Sequence, residues 1–103
     1  MKCFVANDGY GDIIEIPDPV ASKIKKYRNQ FLDWIYNKNN RHQYWVKGSD
    51  GKGGFFEGVC YDTTAFVEWL NDRVIKNKYD PAVIVEYNLD EDACPEGMLR
   101  IFF

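Results

Sequence analysis

Apolar and polar positions along this chain recur with two different periods, and the places where the period changes divide it into segments. In HQYWVK (42–47) and FFEGVCY (55–61) aromatic and β-branched residues crowd together, as they do in pleated strands. Gly48, Gly51, Gly53 and Gly54 lie between them and supply positive-φ positions for a reversal, so the pattern predicts a hairpin. Centred on Gly51, it sets Trp45 opposite Glu57 and His42 opposite Cys60. After Tyr61 the period becomes helical. Ala65, Phe66, Trp69, Leu70, Arg73 and Val74 form one stripe, while Glu68, Asp72 and Lys76 face away. Asp62 is the natural N-cap, and Pro81 forbids continuation.

The flanking segments read in the same way. Cys3 to Ala6 and Ile13 to Ile16 are short apolar runs around the turn Asn7–Asp12, whose Asp8-Gly9 pair signals a hairpin. Pro17-Asp18-Pro19 is a helix start, with Asp18 as N-cap and Pro19 at the first helical position. Val20, Ile24, Tyr27, Phe31 and Trp34 or Ile35 recur at helical spacing as far as Asn37, where a polar run ends the helix. Ala82 to Asn88 and Met98 to Phe103 read as two further strands joined by an acidic, exposed connection from Leu89 to Gly97. The order ββ-α-ββ-α-ββ predicts one α+β domain over residues 1–103. Its simplest architecture is a two-layer sandwich, an antiparallel or mixed sheet of about five to six strands with two helices on one face. The three strand-rich blocks share no fixed period, so they are not repeats.

Composition supports a folded chain. Of 103 residues, 46% are hydrophobic and 17% aromatic, far from a disordered composition. No apolar run reaches the ~20 residues that cross a bilayer, and the opening MKCFVANDGYGD lacks the apolar core of a secretory leader. The expectation is a cytoplasmic protein without a membrane partner. Cys3, Cys60 and Cys94 are an odd number at wide spacing and predict neither a disulfide framework nor a zinc site. The turn at 7–12 lacks the ligand order of a calcium loop, so neither metal nor cofactor is expected.

The net charge of −3 is segregated. Residues 21–52 carry eight basic side chains against Asp33 and Asp50, whereas residues 79–103 carry six acidic ones against Arg100. No reaction motif accompanies this. His42 is the one imidazole, and the register places it across from Cys60, with Asp62 or Asn40 as a conceivable orienting group; a strand position for His42 is the plainer reading. GSDGKGG (48–54) contains a lysine but not GxxxxGK[ST], and it leads into a strand, so it reads as a hairpin loop and not as a phosphate cradle. Asp90, Glu91 and Asp92 are adjacent loop residues and do not form an acid/base pair.

The chain is therefore expected to be a non-enzymatic protein-binding domain. Its contact set for a basic partner is Glu86, Asp90, Glu91, Asp92 and Glu96, which would steer a cationic surface. The alternative is association with nucleic acid through Lys23, Lys25, Lys26, Arg28 and Arg41, opposed by the negative total charge. The apolar run Met98–Phe103 lacks an edge protector, so a monomer or a homodimer is open. In size and composition, and by no motif, the chain resembles bacterial or phage-borne inhibitors, including the immunity proteins that neutralise nuclease toxins. That resemblance implies protein binding and assigns no residue a role.

Overall fold

The computed structural model describes all residues from Met1 to Phe103. Strands β1 (Lys2–Asn7) and β2 (Tyr10–Glu15) form the first hairpin. Its turn is only two residues long: Asp8 and Gly9 both take positive φ, 53° and 88°, the mirror-image turn whose twist matches that of the strands. The strands consequently extend further into 7–12 than the apolar runs indicate.

Helix α1 (Asp18–Ala21) is separated from α2 (Ile24–Tyr36), where the pattern predicts one continuous helix. The Ser22 hydroxyl donates to the Pro19 carbonyl at 2.9 Å, and Lys23 leaves the helical region with φ −125° and ψ 21°. The cap also moves: Pro17 occupies it, and Asp18 lies in the first turn with its carboxylate 3.4 Å from the Met1 ammonium. The short strands β3 (Trp45–Ser49) and β4 (Phe55–Val59) follow, and then α3 (Thr63–Leu70). Asp62 caps α3 as expected, accepting from the Ala65 amide at 3.4 Å. A π-helical turn (Asn71–Ile75) closes on Lys76 at φ 54°, ahead of Pro81. Asn71 then clamps the start of the next strand, donating to the Ala82 carbonyl at 3.0 Å and accepting from its amide at 2.8 Å. Strand β5 (Val83–Asp90), a 3₁₀ turn (Glu91–Ala93) and β6 (Leu99–Phe102) complete the chain.

The strands form two sheets, a correction to the single sheet expected. The main sheet is mixed, in order β5-β2-β1-β6, with β1 and β6 parallel. Strands β3 and β4 form a separate antiparallel ribbon. The ribbon remains separate because one of its faces, Val46 and Phe56 beside Gly48 and Gly58, offers little apolar surface to bury. Phe56 lies over Gly48 so closely that a Cβ there would meet its ring. The ribbon projects as an arm. The molecule measures 48 × 32 × 19 Å, and its radius of gyration of 15.2 Å exceeds the ~13 Å of a compact chain this long.

The main sheet is covered on both faces. Cys3, Val5, Ile14, Ile16 and Ile101 pack against the helices with Phe31, Ile35, Phe66 and Leu70. On the other face Phe4, Ala6 and Ile13 are covered by Leu89, Cys94 and Met98. The acidic connection is thus no free loop. Since β5 and β6 run the same way at opposite edges, it must return across the back of the sheet, and Cys94 and Met98 fasten it there. β5 has eight residues against six in β2 and accommodates the excess in two register shifts; at the first, Asn88 takes φ 54° and its amide donates to the Asp12 carboxylate at 2.9 Å. β6, the run proposed for self-pairing, does lie at a sheet edge.

The helices, the arm and the C-terminus meet on Phe31, which is fully buried. Its ring makes edge-to-face contacts with Tyr61 at 5.4 Å, Phe66 at 5.3 Å, Trp69 at 5.8 Å and Phe103 at 5.7 Å. Phe31→Ala should lower the free energy of unfolding by about 3–5 kcal/mol. Urea unfolding followed by tryptophan fluorescence measures this, and a loss below about 1 kcal/mol would show that the ring is not the hub.

Candidate functional site

The fold sorts charge more sharply than the linear segments do. Residues 1–22 and 79–103, which build the sheet and its strap, hold ten carboxylates against Lys2 and Arg100. Residues 23–78, the helices and the arm, hold eleven basic side chains against six acidic ones. The molecule therefore has an acidic sheet, net −8, and a basic remainder, net +5.

Around the turn end of the sheet the carboxylates converge. Asp90 pairs across from Tyr10, Glu86 from Ile13, and the Glu91 amide donates to the Gly9 carbonyl at 3.0 Å, which brings the 3₁₀ turn beside Asp8. Asp12 joins them through its bond to the Asn88 amide. None of Asp8, Asp12, Glu86, Asp90, Glu91 or Asp92 makes an ion pair; the three present are Met1 with Glu15, Met1 with Asp18, and Arg41 with Glu57. Asp90 has a structural duty as well, since its carboxylate accepts from the Asp92 amide at 3.0 Å. Glu96 does not belong to this group. It borders a hollow with Met1, Lys2 and Leu99, and Leu99 pairs with Cys3 at the opposite end of the sheet. Asp8 and Asp12 escape a linear reading because nearly eighty residues separate them from their neighbours, and only strand pairing joins them.

The basic set proposed for nucleic acid is divided. Lys23, ahead of α2, and Lys25 and Lys26 on it are exposed without ion pairs, and the Arg28 guanidinium bonds to the Asn29 side chain at 3.0 Å. Arg41 belongs to the arm, where it pairs with Glu57 and lies over the Trp45 ring at 5.0 Å.

The arm's base is a stack. Trp34, His42 and Trp45 follow one another at 4.7 and 5.6 Å between ring centroids, with Arg73 over Trp34 at 5.4 Å and Arg41 over Trp45. His42 Nε2 lies 2.8 Å from the Ile35 carbonyl, which can only accept, and Nδ1 accepts from the Tyr44 amide at 3.1 Å. These bonds fix the neutral tautomer with its proton on Nε2. Both nitrogens are thereby engaged, and the His42–Cys60 dyad does not form. The ribbon register corrects that pairing by two residues: Trp45 faces Val59, Lys47 faces Glu57, and the Cys60 amide donates to the Tyr44 carbonyl. The proposed orienting groups have other partners, Asp62 as the cap of α3 and Asn40 as a donor to the Trp34 carbonyl at 3.0 Å. The glycine-rich loop is no phosphate cradle either, because Asp50 already accepts from the Lys52 and Gly54 amides at 2.7 and 3.0 Å.

Beside the stack, Trp34, His42, Tyr44, Glu68, Trp69 and Arg73 border a cleft of about 280 Å³. The Tyr44 hydroxyl donates to Glu68 at 2.8 Å; desolvation first, and this carboxylate second, raise its pKa above the usual phenol value. The phenol and this carboxylate both border the cleft, with Asp72 and Arg73 beside them. No group of three or more His, Cys, Asp or Glu side chains is placed to hold a metal ion, and no helix is long and apolar enough to cross a membrane. Comparison with protein-family models, with curated proteins and with solved structures finds no match.

The three thiols differ in environment. Cys60 is exposed, Cys94 half-buried against the sheet, and Cys3 fully buried, where desolvation, with Cys94 adding to it, pushes its pKa up to about 12. Iodoacetamide at mildly alkaline pH should label Cys60 first and Cys3 only after unfolding. The same shift fixes a sign. Folded Cys3 keeps a proton that the unfolded thiol loses near 9, so its contribution to stability is intact below 9 and disappears as pH rises towards 12. Labelling of Cys3 in the native protein as fast as Cys60, read by peptide mass spectrometry, would refute this assignment.

Proposed function

We propose that this chain is a non-enzymatic protein-binding domain that captures a basic partner on the acidic end of its sheet, in the manner of an inhibitor or immunity-type protein. The observation that carries this reading is the convergence of Asp8, Asp12, Glu86, Asp90, Glu91 and Asp92 with no basic side chain paired to any of them. Carboxylates that neutralise nothing within their own fold repel one another and attract cationic surfaces, raising encounter rates with a basic protein. The anchoring strap and the two-residue turn hold them on a rigid frame, so little ordering opposes binding. Exposed Val85 and Tyr87, which flank Glu86 on the edge strand, supply apolar contact beside the charge.

The variant that tests this leaves the structural carboxylates alone. Asp12 holds the β5 bulge and Asp90 caps the 3₁₀ turn, so both are retained, and Glu86→Lys, Glu91→Lys and Asp92→Lys are combined. A tagged pull-down from the source cell, read by mass spectrometry, should yield a stoichiometric basic protein with the native chain and none with the triple variant. Equal recovery with both chains would reject the acidic end as the contact surface.

A further inference from the structure

The arm carries a second surface whose chemistry differs from that of the acidic end. Phe55 is 83% exposed and Phe56 55%, on a ribbon that nothing in the fold covers. Together with Lys38, Lys47 and Glu57 they border a groove of about 750 Å³. By the two-residue strand period Lys47, Glu57 and Phe55 share one face of the ribbon, and Phe56 borders the groove from β4's other face. The local charge is positive. The Arg41 bond first, then the fields of Arg41, Lys47 and Lys38, hold the Glu57 carboxyl below its usual range, so three cations surround one carboxylate. At the ribbon's tip Asp50 is occupied by two backbone amides, which leaves Lys52 without an ion pair.

The exposed Phe55 ring, beside Lys38 and Lys47, which make no ion pair, fits a ligand that presents flat apolar faces and anions in alternation. We propose that the arm binds single-stranded nucleic acid, with a base stacked on Phe55 and phosphates against Lys38 and Lys47 on the same side of the ribbon. A duplex fits less well, because its bases are stacked inside and cannot reach the ring. The charge complementarity is local: it holds despite the negative total, because ten of the sixteen carboxylates lie outside residues 23–78, the segment of net +5 that contains the arm. This site is distinct from the basic-partner surface, and neither depends on the other.

The test uses the full chain and a fluorescein-labelled oligothymidine of about twelve nucleotides, within the length such sites occupy. Anisotropy at low salt should show saturable binding whose logarithm falls with log salt at a slope of about −1.5 to −2, as two or three phosphate contacts require. Phe55→Ser, at a position too exposed to matter for folding, should weaken binding about tenfold, and Lys47→Gln should reduce the slope by about 0.7. Lys76→Gln, outside the arm, should change neither, and a duplex of the same length should bind at least ~10-fold more weakly. Absence of saturable binding at low salt, or Phe55→Ser binding as tightly as the native chain, would overturn the proposal. So would sedimentation showing that the rings join two copies of this chain and that Phe55→Ser separates them.

Discussion

The helical layer, the foot of the arm and the C-terminus are joined through the buried ring of Phe31. Four rings from three segments meet it edge to face: Tyr61 at the foot of the arm, Phe66 and Trp69 on α3, and Phe103 after β6. Edge-to-face packing fixes angles as well as distances, so the contact does more than bury area. It locks the helical layer to the parallel edge of the sheet. Desolvation at this junction, with the Tyr36 side chain second, pushes the Tyr61 pKa up to about 12, which keeps the phenol neutral where the arm joins the core. The arm can then project, because its foot is held by Tyr61 on one strand and by the Trp34–His42–Trp45 stack on the other.

From that junction follows the separation of charge. The strap from β5 to β6 crosses the back of the sheet and carries its carboxylates to two ends, one group beside the β1–β2 turn and Glu96 at the other. Eleven of the thirteen lysines and arginines lie within residues 23–78, apart from the sheet. A chain with a modest total charge thereby presents two surfaces of opposite sign, each accompanied by exposed apolar side chains. Both ring nitrogens of His42 are engaged with the backbone, so the imidazole is not paired with Cys60.

Local patterns made much of the fold legible in the sequence. Asp8-Gly9 marks its turn because few residues other than glycine and aspartate tolerate positive φ, and Asp62 marks its helix because a carboxylate satisfies free amides. The helical stripes identify Phe31, Phe66, Trp69 and Leu70 as core. What the patterns missed was decided at long range or by competition. The break at Ser22 arises from a side chain turning back on the Pro19 carbonyl, inside a stripe whose apolar period never falters. Phe55 and Phe56 read as strand residues, and their partners across the ribbon are Ser49 and Gly48, too small to cover the two rings. The acidic end was half visible: Asp90, Glu91 and Asp92 stand together in the chain, whereas Asp8 and Asp12 arrive by pairing and Glu96 departs by the crossing of the strap.

The most direct test of this two-pole account is one isotope-labelled sample followed by ¹⁵N–¹H correlation spectra during two titrations, with oligolysine and with oligothymidine. Oligolysine should shift the amides of Asp8 to Asp12 and Glu86 to Asp92, and oligothymidine those of Lys38 and of Lys47 to Glu57, with no residue common to both sets. If both ligands moved the same amides, or shifts were scattered over the whole surface, the fold would not separate two binding surfaces and the account would fail.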